Sequence, residues 1–291
     1  MYTHLEFDHD DEHVDELRDL DYEMDDYSLS NTDYQDLAFD EDAASHPELS
    51  LDVPYLPTDE KIVHAMLELA EISSTDLLFD LGCGDGRILV TAALEYNTRG
   101  VGIDMDPQRI NEAIEYAGYT GVEHLVHFFE GDLMDADFSA ATVVTLYLLD
   151  LVNLALRPRL LNELRPGTRI VSHAFQMGDW KADQQHHSAG INIYKWIVPA
   201  NVAGIWEWQT DGGDHYRVAL TQKYQIVTGS AWINNQARVL NGALLCGDSL
   251  ELVIANKAAA PVRFLMHCQP QQLLVQEGAL TTDPALRVTA R

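Results

Sequence analysis

Residues 77–106, LLFDLGCGDGRILVTAALEYNTRGVGIDMD, constrain this chain more than any other stretch. Leu77, Leu78 and Phe79 form an apolar run too short for a free helix, and its flanks suit a buried strand. The run ends at Asp80 and meets glycines at alternate positions, Gly82, Gly84 and Gly86. Residues 88–96 then read as a helix, and residues 100–103 as a second short strand ending on Asp104. Strand, glycine turn, helix, strand and acidic residue make half of a nucleotide-binding α/β unit. The spacing narrows the ligand. A dinucleotide fold wants G-x-G-x-x-G, which sets a pyrophosphate on a helix N-terminus. Here the pattern is D-x-G-x-G-x-G, with one residue fewer between the last two glycines. Such glycines let backbone approach a ligand closely. Asp104, followed by Met105, can accept from both hydroxyls of a ribose, since an ionised carboxylate offers two acceptor oxygens.

The chain is 291 residues long, enough for a full core and for two domains. Its formal charge of −29 is unevenly spread: residues 1–50 hold 18 Asp and Glu against a single Arg. That balance argues against binding a nucleic-acid backbone, which needs Lys and Arg. It fits a soluble protein that attracts cationic partners. Three cysteines without paired spacing suit a reducing compartment and no disulfide framework. The N-terminus, MYTHLEFDHDDEH, has no apolar core of a signal peptide. The longest apolar stretch, residues 143–156, is broken by Thr145, Asp150 and Asn153, so no membrane insertion is expected. These features together predict a cytoplasmic protein.

Residues 1–50 read as a low-complexity acidic arm, disordered through like-charge repulsion and available to a partner. His4, His9 and His13 lie in it without cysteines or tight spacing, so no metal site is expected. Prolines 47, 54 and 57 mark an extended linker, after which Thr58 is expected to cap a helix with Ile62, Val63, Met66 and Leu67 on its apolar face. A helix follows Pro107, and residues 126–129 form a third strand that ends at Gly131-Asp132-Leu133. Residues 143–149 are apolar enough for a central parallel strand, with Tyr147 and Asp150 at its outgoing end beside the glycine turn. A helix is expected over 154–164, a strand over 168–175 with His173 near its exit, a loop over 177–188, and an antiparallel edge strand over 193–198. From about residue 202 the pattern changes to short alternating segments with turn signals at Asp211-Gly212, Asn234-Asn235, Asn241-Gly242 and Gly247-Asp248. That pattern reads as an antiparallel meander, a small barrel or sandwich, with Trp206 and Trp208 in its core.

Three segments carry a family resemblance: PYLPTDEKIVHAML (54–67), DLGCGDGR (80–87) and the run from VVTLYLLDL to RIVSHAFQMGDW (143–180). The glycine pattern resembles the first motif of class I S-adenosylmethionine (SAM) methyltransferases. The three segments together resemble the archaeal and mitochondrial protein lysine methyltransferases, whose mitochondrial members act on the ATP synthase c subunit or the adenine nucleotide carrier. The resemblance covers about residues 51–200. It implies a seven-stranded Rossmann-like α/β domain with SAM as cofactor. It also implies site residues: Tyr55 and Thr58 over the cofactor, Asp80 near its amino group, Gly82, Gly84 and Gly86 along its backbone contact. Asp104 and Met105 would face the ribose, and Asp132 and Leu133 the adenine. Tyr147 and Asp150 are expected on the acceptor side.

The expected organisation is an acidic arm (1–50), a SAM-binding methyltransferase domain (51–201) and a small all-β accessory domain (202–291). The expected activity is methyl transfer to an accessible lysine of a protein. A small-molecule acceptor, or a non-catalytic SAM-binding protein, stays open on residues alone.

Overall fold

The computed structural model describes residues 56–256, 260–278 and 283–288. The acidic arm, its histidines and Tyr55 lie outside the described residues. Seven strands form the first sheet: β1 (Leu77–Leu81), β2 (Arg99–Asp104), β3 (Val126–Glu130), β4 (Val143–Leu146), β5 (Arg169–His173), β6 (Gln184–Ser188) and β7 (Ile191–Ile197). Their order is β3-β2-β1-β4-β5-β7-β6. β1 to β5 run parallel, and β7 inserts antiparallel between β5 and β6. The order reverses between β1 and β4, which opens a crevice at the outgoing ends of these strands.

One face of this sheet is covered by α1 (Glu60–Ala70), α2 (Arg87–Tyr96) and α3 (Pro107–Thr120). α4 (Asp150–Glu163) packs on the other face through Val152, Leu156 and Leu160. Asp59, not Thr58, caps α1: its carboxylate accepts from the Lys61 N–H. Thr58 is buried instead, for a reason given below. α4 starts four residues before the expected helix, so Asp150 sits in a helical first turn, where an acidic side chain is favoured, and not on a strand end. The sequence also hid β6. Its residues QQHHS are exposed on both faces of an edge strand, so they show no alternation. With β6 in place, β7 is internal rather than the edge.

That second face lacks helices over two connections. Residues 131–142 cover part of it with Phe138, held by Arg159, whose guanidinium stacks on the Phe138 ring and donates to the carbonyls of Leu133, Met134 and Ala136. Residues 174–183 cover the rest with Met177 and Trp180, the latter tilted against Trp196 at 6.1 Å.

The second sheet comprises β8 (Gly204–Gln209), β9 (His215–Lys223), β10 (Ile226–Ile233), β11 (Gln236–Arg238), β12 (Leu240–Cys246), β13 (Ser249–Ile254), β14 (Val262–Gln269), β15 (Gln272–Glu277) and β16 (Ala285–Val288). All neighbours are antiparallel, and pairing of β9 with β10 joins the two ends of the sheet. Among the described residues, eight strands therefore close a barrel and β11 extends the β10 hairpin. Asn241-Gly242 is not the expected turn: it lies within β12, where the register to β13 shifts in a bulge. Gly229 is required at the β9–β10 contact, because a Cβ there would stand 2.1 Å from the Ala219 carbonyl oxygen. The barrel is filled. Trp206 is fully buried, and Trp208, Tyr216 and Phe264 pack ring on ring with centroids 4.9–5.3 Å apart.

Two outcomes follow from this packing. Trp206→Ala opens a cavity in the barrel core and should cost about 3–5 kcal/mol in denaturant unfolding. The acidic excess of the chain makes self-repulsion a standing cost, and raising salt from 0.1 to 1 M shortens its reach from about 10 to about 3 Å. Melting temperature should therefore rise with KCl across that range; a fall would mean that the surface ion pairs outweigh the repulsion.

Candidate active site

The crevice is built by backbone first. Gly82, Gly84 and Gly86 all have left-handed φ, at 80°, 52° and 77°. A Cβ on Gly82 would lie 2.8 Å from Leu148, and one on Gly86 2.7 Å from the Phe128 ring, so other residues are excluded by both strain and space. The amides of Gly82 and Cys83 donate to the Ile103 carbonyl, which pins the turn to the end of β2. The Gly84 N–H donates to Asp104 Oδ2 at 2.8 Å, and the Asp106 N–H to Asp104 Oδ1 at 2.9 Å. Each carboxylate oxygen retains a further lone pair for a hydroxyl. Met105 follows, half exposed at the rim.

Asp80 lies beneath the turn, 2% exposed, and accepts from Thr145 Oγ1 at 2.7 Å. Burial pushes its pKa up to about 7; the Thr145 hydrogen bond opposes this, while Asp104 and Asp85 add to it. Asp80 thus stands ready to ionise when a cation arrives.

At the end of β3, the Gly131 N–H donates to the Asp104 carbonyl, which brings Asp132 beside the β2 exit. Asp132 is exposed, and its carboxylate caps the Met134 N–H. Leu133 turns inward and packs in the second-face core.

Arg87 opens α2, where a cation meets the positive end of the helix. It is held there by a two-pronged pair with Asp85 and by donating to the Thr58 carbonyl at 2.7 Å. A basic residue in a first turn, two positions after an acidic one, is the sequence signal for this clamp, and glycine spacing alone does not carry it. Thr58 in turn places Oγ1 3.4 Å from His173 Nδ1. His173 is buried, and burial lowers its pKa to about 3, so the imidazole stays neutral. Its ring stacks on Tyr147 at 3.8 Å, and Tyr147 stacks on Phe175 at 6.4 Å. The glycine turn and the aromatic stack are therefore joined through Arg87 and Thr58.

Asp150 is exposed in the first turn of α4. It accepts the Gln176 N–H at 2.9 Å and so holds the segment that follows β5. Among the described residues no group of His, Cys, Asp and Glu could hold a metal ion.

A family profile described as the ANTKMT methyltransferase domain matches residues 80–184, from the glycine turn through the segment after β5. A protein-lysine N-methyltransferase of Saccharolobus islandicus is 47% identical over 129 residues, which are 44% of this chain and 80% of that protein. A lysine N-methyltransferase of Xenopus laevis, named for the ATP synthase c subunit, is 29% identical over 45% of this chain and 57% of its own length. Among solved structures, an RNA methyltransferase from Salinibacter ruber bound to S-adenosyl-L-homocysteine is 49% identical, with a TM-score of 0.50, and covers 50% of this chain and 96% of its own. These relatives each match about half of this chain. SAM is accordingly the cofactor, and the left-handed glycine cradle and the Asp104 carboxylate fit it. The chain belongs to the family of SAM-dependent methyltransferases that includes the Saccharolobus islandicus protein-lysine N-methyltransferase.

Proposed function

We propose that this methyltransferase acts on a lysine side chain of a protein. One observation carries the reading: 47% identity over 129 residues to a protein-lysine N-methyltransferase. The acid-rich composition supports it, since a net charge of −29 attracts a cationic acceptor and repels a phosphate backbone.

In this reading Gly82, Gly84 and Gly86 admit the cofactor to the backbone, Asp104 accepts from the ribose hydroxyls, and Asp80 pairs with the cofactor's amino group. Asp132, Leu133 and Met105 border the adenine. Thr58 covers the cofactor from the α1 side, and Tyr55, expected beside it, lies outside the described residues. Bound SAM supplies a methyl group on a sulfonium, already activated toward displacement. The residues of this chain align and desolvate the attacking amine. Tyr147, stacked on His173, lines the acceptor side, where the acceptor ammonium sheds its proton more readily as water is excluded. Asp150 lies on the acceptor side and shapes that wall by accepting the Gln176 N–H. A cytoplasmic location fits the three cysteines, all free, and no described helix is long and apolar enough to cross a membrane.

The acceptor is tested by incubating cell lysate with the enzyme and methyl-labelled SAM, then hydrolysing the labelled fraction. Label recovered as N-methyllysine is expected. The Salinibacter ruber relative is described as an RNA methyltransferase, so label in RNA is the second reading, and its appearance there would replace the first. Asp80 gives a pH test. Its native pKa of about 7 lies above the ordinary 3.8, so in the free protein the proton is bound between these values and ionisation costs stability as pH rises through the window. A cationic ligand needs the ionised form, so affinity runs the other way. SAM affinity should weaken by up to roughly tenfold per pH unit below pH 7. Asp80→Asn should be weak and flat over pH 5.5–7; a flat profile in the wild type would remove Asp80 from the site.

A further inference from the structure

The barrel reaches the crevice domain through two turns: Gly247, between β12 and β13, lies against Gly167 and Ile197, and the β9–β10 turn lies on the connection that follows β5. Tyr224 and Gln225 connect β9 to β10, between the paired residues Lys223 and Ile226. Tyr224 has a left-handed φ of 55°, a conformation that a bulky side chain adopts at a cost and that glycine or asparagine would hold more easily. Its side chain accounts for the exception. The ring stacks on Trp180 at 5.8 Å, and the hydroxyl donates to Asp179 Oδ1 at 2.9 Å. Lys223 donates to the other Asp179 oxygen at 2.7 Å, and Gln225 bonds the Trp180 indole N–H and the Lys181 carbonyl.

All of these contacts fall on residues 174–183, the connection from β5 to β6. β6 runs in the same direction as β5, since both pair antiparallel with β7, and a parallel crossover of this kind usually carries a helix. Here no helix forms, and the connection is held by side chains from outside it. Its first residue, Ala174, is itself left-handed at φ 63°. Its second, Phe175, stands in the stack with Tyr147, and its third, Gln176, is tied to Asp150. Arg157 of α4 holds the middle, donating to the Met177 carbonyl and to Asp179. One short segment therefore begins in the acceptor wall and ends under the barrel turn.

We infer that Tyr224 and Asp179 are positioning residues for methyl transfer: the barrel turn fixes residues 174–183 and thereby the Phe175–Tyr147 wall against which the acceptor lies. Neither residue touches the cofactor cradle. The inference rests on the reading of Tyr147 as the acceptor side, and it gives the barrel a part in the reaction that a tethered module would not have. Strain at Tyr224 and at Ala174 marks the two ends of the coupling, since such conformations persist only where surrounding contacts overdetermine them.

The test uses the full chain with Asp179→Asn, Tyr224→Phe and Tyr224→Gly. Tyr224→Gly relieves the strained turn while deleting the ring and hydroxyl, so its effect is not a backbone clash. Asp179 is half exposed, which makes Asp179→Asn safe for folding. Three readouts are taken: amide hydrogen exchange over residues 174–183, S-adenosylhomocysteine affinity, and transfer to total soluble cell protein as the acceptor probe. Tyr224→Gly and Asp179→Asn should speed exchange in the segment by ~10-fold and cut transfer comparably, with cofactor affinity within about twofold. Tyr224→Phe, which keeps the ring on Trp180, should recover most of the loss. Unchanged exchange in both strong variants would overturn the inference, as would a parallel loss of cofactor affinity and transfer. If label enters RNA instead of protein, the lysine reading fails while the exchange result still decides the coupling.

Discussion

The site depends on a backbone conformation that only glycine holds without strain. Three left-handed residues at alternate positions turn the chain from β1 to α2 within residues 82–86. The Asp104 carboxylate then ties the middle of that turn to the end of the neighbouring strand. Nearly every other feature of the crevice is placed relative to this loop. Leu148 and Phe128 fill the space that side chains at Gly82 and Gly86 would need, Asp80 is sealed beneath it, and Arg87 clamps its far end to the start of α1. The sheet supplies the platform, and the glycines decide what can lie on it.

Burial sets the chemistry of the remaining groups. Asp80 and His173 are shifted in opposite directions, up to about 7 and down to about 3, because desolvation penalises whichever form is charged. The first becomes sensitive to a cation near neutral pH. The second is kept neutral, and its value is as a flat partner for Tyr147.

What could be read from sequence follows the range of the forces involved. Gly82, Gly84, Gly86 and Asp104 were legible because their roles are local: backbone conformation and strand-end position are written in the residues themselves. The alternating strands of the barrel were legible one by one through residues such as Trp206 and Trp208. Its closure was not, because β16 pairs with β8 across most of the module and has no alternating pattern long enough to stand out. Thr58 looked like a helix cap because capping is a local rule, yet its partner is His173 on a strand far along the chain. Gln184 to Ser188 carried no signal, since an edge strand exposed on both faces has no inside to mark. The clamp between Asp179 and Tyr224 was invisible for the same reason as the Thr58 contact: two unrelated loops meet only after both sheets have formed.

The measurement closest to the central claim is calorimetric binding of S-adenosylhomocysteine to the wild type, Gly84→Val, Asp104→Asn and Asp104→Ala. Valine cannot hold the left-handed turn at position 84, and alanine removes both acceptor oxygens at position 104. Asparagine keeps one acceptor and loses the other. The account predicts that Gly84→Val and Asp104→Ala each weaken binding by at least ~100-fold, about 3 kcal/mol, with Asp104→Asn between them and the wild type. Wild-type affinity in a folded Gly84→Val and Asp104→Ala would contradict it, and would place the cofactor elsewhere than on the glycine turn.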